Sequence, residues 1–197
     1  MKKIIIKIVL GYLVILIVYN LYLTYTIERA VTSQIKICGE AVYLIPGIKT
    51  AMYHSVTNRI YIDPEFIKKY DTKELESLVW HERGHRERRF QLYVVSLLNT
   101  SLEVGGKIEK QSFIMIPFLY GPQIITAAVV IPMSHYQEFK ADEFCGQHGY
   151  GGTLIKVIKK IVSEQLPSNL LLQVALDPFH PPVDARKIAL NVKGLLK

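Results

Sequence analysis

Five consecutive residues, His81-Glu82-Arg83-Gly84-His85, match the spacing H-E-x-x-H. Two helical residues four apart lie one above the other, so both imidazoles would project from one face and could grip a single metal ion. The glutamate beside the first histidine falls close to that ion. There it can take a proton from water without being a ligand itself. Zinc suits such a donor set: two neutral imidazoles, one carboxylate and a fourth position left to water.

The third ligand must come from another part of the chain. One class of H-E-x-x-H sites places a histidine six residues after the second; Gln91 stands there and excludes that class. The alternative is a glutamate on a second helix. The stretch SHYQEFKADEFC (134–145) offers Glu138, with Asp142 four residues on and facing the same way. On this reading Glu138 is the ligand and Asp142 accepts an N–H from a metal-bound imidazole. His135 and His148 are rival ligands. His148 precedes Gly149 and Gly151-Gly152, near an expected helix end where a solvated or capping histidine fits. His54 and Trp80 read as packing residues, with Trp80 placed to wall the site.

The elements around these residues can be read in turn. Asp71 and Glu74 form capping-box spacing, which opens a helix predicted to run from Thr72 to near Leu98 with H-E-x-x-H inside it. Before it, AVYLIPG, TAMYHSV and RIYID are short β-branched and aromatic runs punctuated by Pro46-Gly47 and Thr57-Asn58. They predict a small antiparallel sheet of two or three strands. A free-edged strand over 50–56 could hold an extended peptide. A polar break is expected over 99–111, and helices near 112–130, 133–148, 152–165 and 181–195. Arg83, Arg86, Arg88 and Arg89 read as a solvated or lipid-headgroup-facing surface.

HERGH (81–85), EFKAD (138–142) and HPPVDAR (180–186), in that order, resemble the HtpX and CAAX prenyl protease family of zinc metallopeptidases. The resemblance covers roughly 41 to 196. It implies a mainly helical α+β, zincin-like domain in which His81, His85 and Glu138 bind one zinc ion and Glu82 is the catalytic base. His180 and Arg186 match the family's late histidine and arginine, which the resemblance places near the zinc, stabilising the oxyanion. A cation aimed at the charge that develops on a peptide carbonyl would lower the barrier. His180-Pro181-Pro182 also reads as a helix start.

The rest of the sequence bears on location. The 197 residues suit one domain, and two cysteines, Cys38 and Cys145, are too few for a disulfide framework, although a bond between them is conceivable. Hydrophobic residues make up 50% and charged ones 21%, so an intrinsically disordered chain is excluded. From Ile4 to Tyr25 only Lys7, Asn20 and Thr24 are clearly polar; these 22 residues would make about 33 Å of helix, enough to cross a bilayer. The expected organisation is therefore a transmembrane anchor (1–27), a linker (28–40) and a metallopeptidase domain (41–197). Lys2, Lys3 and Lys7 precede the span, against Arg29 and Lys36 after it, which predicts a cytoplasmic amino end and a single-pass protein. The uncharged stretch 112–133 is also long enough to span. A single crossing would part His85 from Glu138, so a bent buried or interfacial segment is expected instead. Net charge is +7 (24 Lys+Arg, 17 Asp+Glu), and no helix-turn-helix, zinc-finger or phosphate-loop signature is present. The expected partners are a peptide or protein substrate, a membrane-associated one included, and membrane lipids, with no nucleic acid. The competing reading is a catalytically silent, membrane-anchored metal-binding scaffold of the same fold.

Overall fold

The structure, a computed structural model, describes residues 2–92, 94, 116–165 and 179–196, with side chains for 11, 14–92, 94, 128–164 and 179–196. Its elements are α1 (Lys2–Ala30), β1 (Ser33–Ile37), β2 (Glu40–Leu44), β3 (Ala51–His54), β4 (Arg59–Ile62) and α2 (Pro64–Lys69), followed by α3 (Thr72–Arg86), α4 (Ile116–Gln147), α5 (Gly151–Gln165) and α6 (Val183–Val192).

The four strands form one sheet in the order β1-β2-β4-β3. It is mixed rather than antiparallel as expected, because β2 and β4 run parallel, pairing Val42 with Ile60 and Leu44 with Ile62. The β2–β3 connection crosses over to place β3 on the far side of β4, leaving β3 as an edge. Asp63 secures that crossover. One of its carboxylate oxygens accepts from Glu65 N at 3.0 Å, capping α2, and the other accepts from Gly47 N and Lys49 N at 2.9 Å. Burial would raise the Asp63 pKa, but these three N–H bonds outweigh it and lower it.

Strand β1 occupies part of the segment 28–40, which the sequence reading took as a linker. It joins β2 through a two-residue turn at Cys38 and Gly39, both at positive φ (42° and 79°), the geometry a tight hairpin needs. Glu28, near the end of α1, pairs with Arg59 and accepts from the Tyr61 hydroxyl, so this helix end is tied to β4. Burial, then the Glu28 bond, pushes Tyr61 up to about 12.

The predicted capping box is present: Asp71 accepts from Glu74 N at 2.9 Å and Glu74 accepts from Asp71 N at 3.0 Å. Helix α3 ends at Arg86 rather than near Leu98. Beyond it the arginines contact the sheet and the chain itself. Arg86 donates to Glu40 at 2.8 Å, Arg88 to Gly84 O, and Arg89 to Ser55 O and Val56 O at 2.7 and 3.0 Å. Arg83 lies over the Trp80 ring. Arg89 is nonetheless exposed, and the other three arginines are partly so. The expected break at 99–111 lies outside the described residues.

Two helices predicted near 112–130 and 133–148 are one, α4, which continues through Pro122 and Pro132. Each proline removes a single backbone bond from a ladder of 32 residues, and Pro117 falls in the first turn, where its missing N–H has no partner to lose. The core lies between sheet and helices, built on Val42, Ile60, Ile62, Leu78, Val79, Cys145, Leu154 and Val157. Both cysteines are free thiols. Among the described residues no helix is long and apolar enough to cross a membrane. Much of the apolar stretch of α1 falls on residues whose side chains are not described.

Candidate metal centre

Helices α3 and α4 cross at a glycine. A Cβ on Gly84 would lie 2.7 Å from Ala141 Cα and 3.0 Å from its carbonyl oxygen, a distance real side chains do not reach. That contact lets the histidine face of α3 meet the acidic face of α4. His81 Nε2 and His85 Nε2 lie 3.1 Å apart. Glu138 spans them, with Oε2 3.4 Å from His81 Nε2 and Oε1 3.2 Å from His85 Nε2.

Two lines of reasoning fit a metal ion to this triangle. The first is spacing. Ligand atoms 2.0–2.1 Å from a tetrahedral zinc ion sit about 3.3 Å from one another; the two Nε2 atoms are 3.1 Å apart, and each faces a different oxygen of the Glu138 carboxylate, at 3.4 and 3.2 Å. The second is charge. Glu82, Glu138 and Asp142 are at most 8% exposed and Arg186 is 5% exposed. Three carboxylates against one guanidinium leave an excess of negative charge among these four side chains, which a metal cation would offset; unpaired buried charge is costly. The local field shows the same preference for positive charge. Burial would lower the His81 pKa, but the nearby carboxylates of Asp142 and Glu138 raise it to about 10. Burial would likewise raise the Glu138 pKa, yet Arg186, then His85, holds it well below the usual carboxylate range.

Asp142 stands behind the triangle. Its Oδ1 lies 3.0 Å from His81 Nδ1, off the line of the ring N–H, so the contact is an ion pair more than an aligned hydrogen bond. Arg186 grips Asp142 through Nε and Nη2 at 2.7 and 2.5 Å, and its Nη1 lies 3.1 Å from Glu138 Oε2. The arginine is thus spent on the two carboxylates. His180 sits differently: its side chain is 56% exposed, and its Nε2 is 3.8 Å from Glu138 Oε1. Glu82 faces the sheet edge, where its Oε2 accepts the Tyr53 N–H at 2.7 Å.

His81, Glu82, His85, Glu138, His180 and Arg186 border a cavity of about 410 Å³, lined by the β3 edge, α3, α4, α5 and the 180–186 segment.

Comparison with known proteins places the chain. Residues 23–191 match the model of peptidase family M48. The chain belongs to that family. All three motifs lie within the match, and M48 membership supports a metalloprotease of the HtpX and Ste24 type. The crystal structure of S. mikatae Ste24p superposes with a TM-score of 0.53 at 17% identity, over 76% of this chain and 44% of that one. At that identity the likeness is one of fold. This M48 chain spans less than half of the neighbour's length. Curated proteins give no match.

Among the described residues, His81, His85 and Glu138 form the one cluster able to hold a metal. The rival ligands His135 and His148 are not in it. His148 stacks on Trp80, ring centroids 3.8 Å apart, and its Nδ1 lies 2.8 Å from Phe144 O, as a histidine at a helix end can. His54 packs edge-on against Tyr61. Three contributors escaped the sequence reading. Gly84 was visible inside H-E-x-x-H, but its reason, the helix crossing, is tertiary. The Tyr53 N–H is backbone and carries no residue signal. The apolar stripe of α5 was legible as spacing but pointed equally well to core.

Proposed function

We propose that this M48 chain is a membrane-anchored zinc metalloendopeptidase. The observation that carries the reading is the placement of Glu82: a buried carboxylate beside the His81–His85–Glu138 triangle, held by the backbone of a free-edged strand. A zinc ion held by those three residues would supply Lewis-acid polarisation of the scissile carbonyl and activation of water. The rest belongs to the protein.

A peptide entering extended would lie along β3, over α3, with its carbonyl above the triangle. Glu82 then takes the proton of the attacking water and passes it to the leaving amine. The Tyr53 N–H fixes the carboxylate, so no reorganisation is needed at that moment. Both residues brought by family resemblance line the cavity; on this reading the exposed His180 donates to the oxyanion. Arg186 acts through Glu138 and Asp142 and is a positioning residue.

Two features support anchoring. Ile4 to Tyr25 is long enough and apolar enough in sequence, and α1 carries Val14, Ile15, Ile17, Val18, Leu21 and Tyr22 at 50–60% exposure. So much apolar helix surface calls for cover, and lipid beside the basic residues Lys2, Lys3 and Lys7 supplies it.

The test is digestion of unfolded casein by detergent-purified protein. Zinc-loaded wild type should cleave it, and Glu82→Gln or chelation should abolish cleavage. A folded, zinc-loaded wild type that leaves casein and other unfolded proteins intact would favour the silent scaffold instead.

A further inference from the structure

His85 turns its Nε2 toward Glu138, and its other ring nitrogen, Nδ1, is buried with no hydrogen-bond partner among the described residues. A histidine bound to a metal through Nε2 keeps its proton on Nδ1, and the group that accepts that proton sets the orientation of the ring. For His81 an acceptor is at hand, since Asp142 Oδ1 lies 3.0 Å from its Nδ1. His85 needs one too, because a buried N–H left unpaired is costly.

Gln137 is buried, 3% exposed, and its Oε1 also lacks a partner among the described residues. The other buried side-chain atoms in that condition are His81 Nδ1, Arg86 Nε and the Tyr70 hydroxyl. Arg86 Nε can only donate, and Tyr70 packs on Phe66 at the end of α2. Gln137 Oε1 is therefore the orphaned acceptor on the helix that faces His85. The helix pairing agrees. His81 meets Asp142, Gly84 meets Ala141, His85 meets Glu138 and, past the end of α3, Gln91 meets Gln137, so α4 is traversed backwards. Gln137 stands four residues before Ala141, on the face of α4 turned to α3. Its amide nitrogen is already committed, donating to Gln91 Oε1 at 2.6 Å, which leaves the oxygen to accept.

We propose that Gln137 is a positioning residue of the metal centre: its Oε1 accepts the His85 Nδ1 proton, directly or through one buried water, when Nε2 is given to the metal. This rests on the zinc part of the reading above and adds to it a residue that neither touches the metal nor belongs to the H-E-x-x-H motif. Gln91 stands where another class of such sites places its third ligand. Here it acts at two removes, fixing the amide that fixes the ring.

Ring N–H signals test this without recourse to turnover. Detergent-purified full-length protein carrying nitrogen-15 histidine is titrated with zinc, and the slowly exchanging ring N–H signals that appear only with the metal are followed by NMR. Wild type should show two, one each from His81 and His85. Gln137→Leu, which removes the acceptor, should lose one of them to fast exchange and bind zinc about tenfold to hundredfold more weakly in competition with a chelator. Gln137→Glu, which keeps an acceptor in place, should retain both signals, move one of them downfield and recover most of the affinity. Two unchanged signals and wild-type affinity in folded Gln137→Leu would overturn the assignment, and so would a single zinc-dependent signal in wild type. If Gln137→Leu does not fold, Gln137→Glu carries the test, and signals at their wild-type positions in that variant would overturn the proposal. A wild type that shows both signals and the predicted response to substitution, yet cleaves no casein, would support the assignment and sink the peptidase reading. A folded wild type that takes up no zinc would overturn both.

Discussion

Arg186 is the residue on which the buried charges depend most. It is 5% exposed and donates to Asp142 twice while contacting Glu138. Removing one partner from a buried ionic cluster leaves the others unpaired, at a cost of about 3–5 kcal/mol. Arg186→Met should therefore lower the urea midpoint by that equivalent. It should also weaken zinc binding, because Glu138 and Asp142 lose the group that fixes their orientation; metal titration of the variant checks this. A midpoint within 1 kcal/mol of wild type, a margin close to that of ordinary surface changes, would remove Arg186 from this role. The sequence motif pointed to Arg186 and His180 together, and geometry separates them. Spacing shows which residues can approach a metal but not which of two basic side chains is enclosed by carboxylates.

At the scale of elements, the crossing of α3 and α4 makes the site. Gly84→Ala would force apart two backbones that now leave no room for a methyl group. Overpacking of this kind costs about 1–3 kcal/mol. It should weaken zinc affinity more than a surface Gly→Ala change would, since the displaced helices carry the ligands; equilibrium unfolding together with zinc titration measures both effects. The sheet makes a pH prediction. Asp63 has a lower pKa folded than unfolded, so its contribution is present above the unfolded value of about 3.9 and is lost as pH falls through the lower folded value. Unfolding midpoints of wild type and Asp63→Ala should differ by about 1–2 kcal/mol at pH 7 and converge as the pH falls through the lowered folded-state value. A gap that persists in acid would contradict the assignment. Helix α3 was legible from Asp71 and Glu74 because a capping box is local. The mixed sheet was not, because the β2–β4 pairing joins residues almost twenty apart and β1, reading SQIKI, lacks an apolar run. The single α4 was read as two helices, near 112–130 and 133–148, whereas a long helix tolerates the loss of isolated bonds at Pro122 and Pro132.

For the whole molecule, composition raised the expectation of a lipid surface and was silent about assembly. A 22-residue stretch with only three clearly polar residues and a net charge of +7 motivate that expectation, and neither says how the face bearing the metal cluster is built. That face draws on α3, α4, the β3 edge, α5 and the segment before α6. Motif order alone marked three of these five contributors as sharing one site. The central claim is that one metal ion and one carboxylate base act together there, and it can be tested by separating holding from turnover. Zinc content per chain and casein cleavage should be measured side by side on wild type, Glu82→Gln and Glu138→Ala, each shown to be folded. We expect one zinc ion per chain in wild type and in Glu82→Gln, little in Glu138→Ala, and cleavage by wild type alone. Cleavage by zinc-loaded Glu82→Gln at the wild-type rate would contradict the account, as would a full complement of zinc in Glu138→Ala.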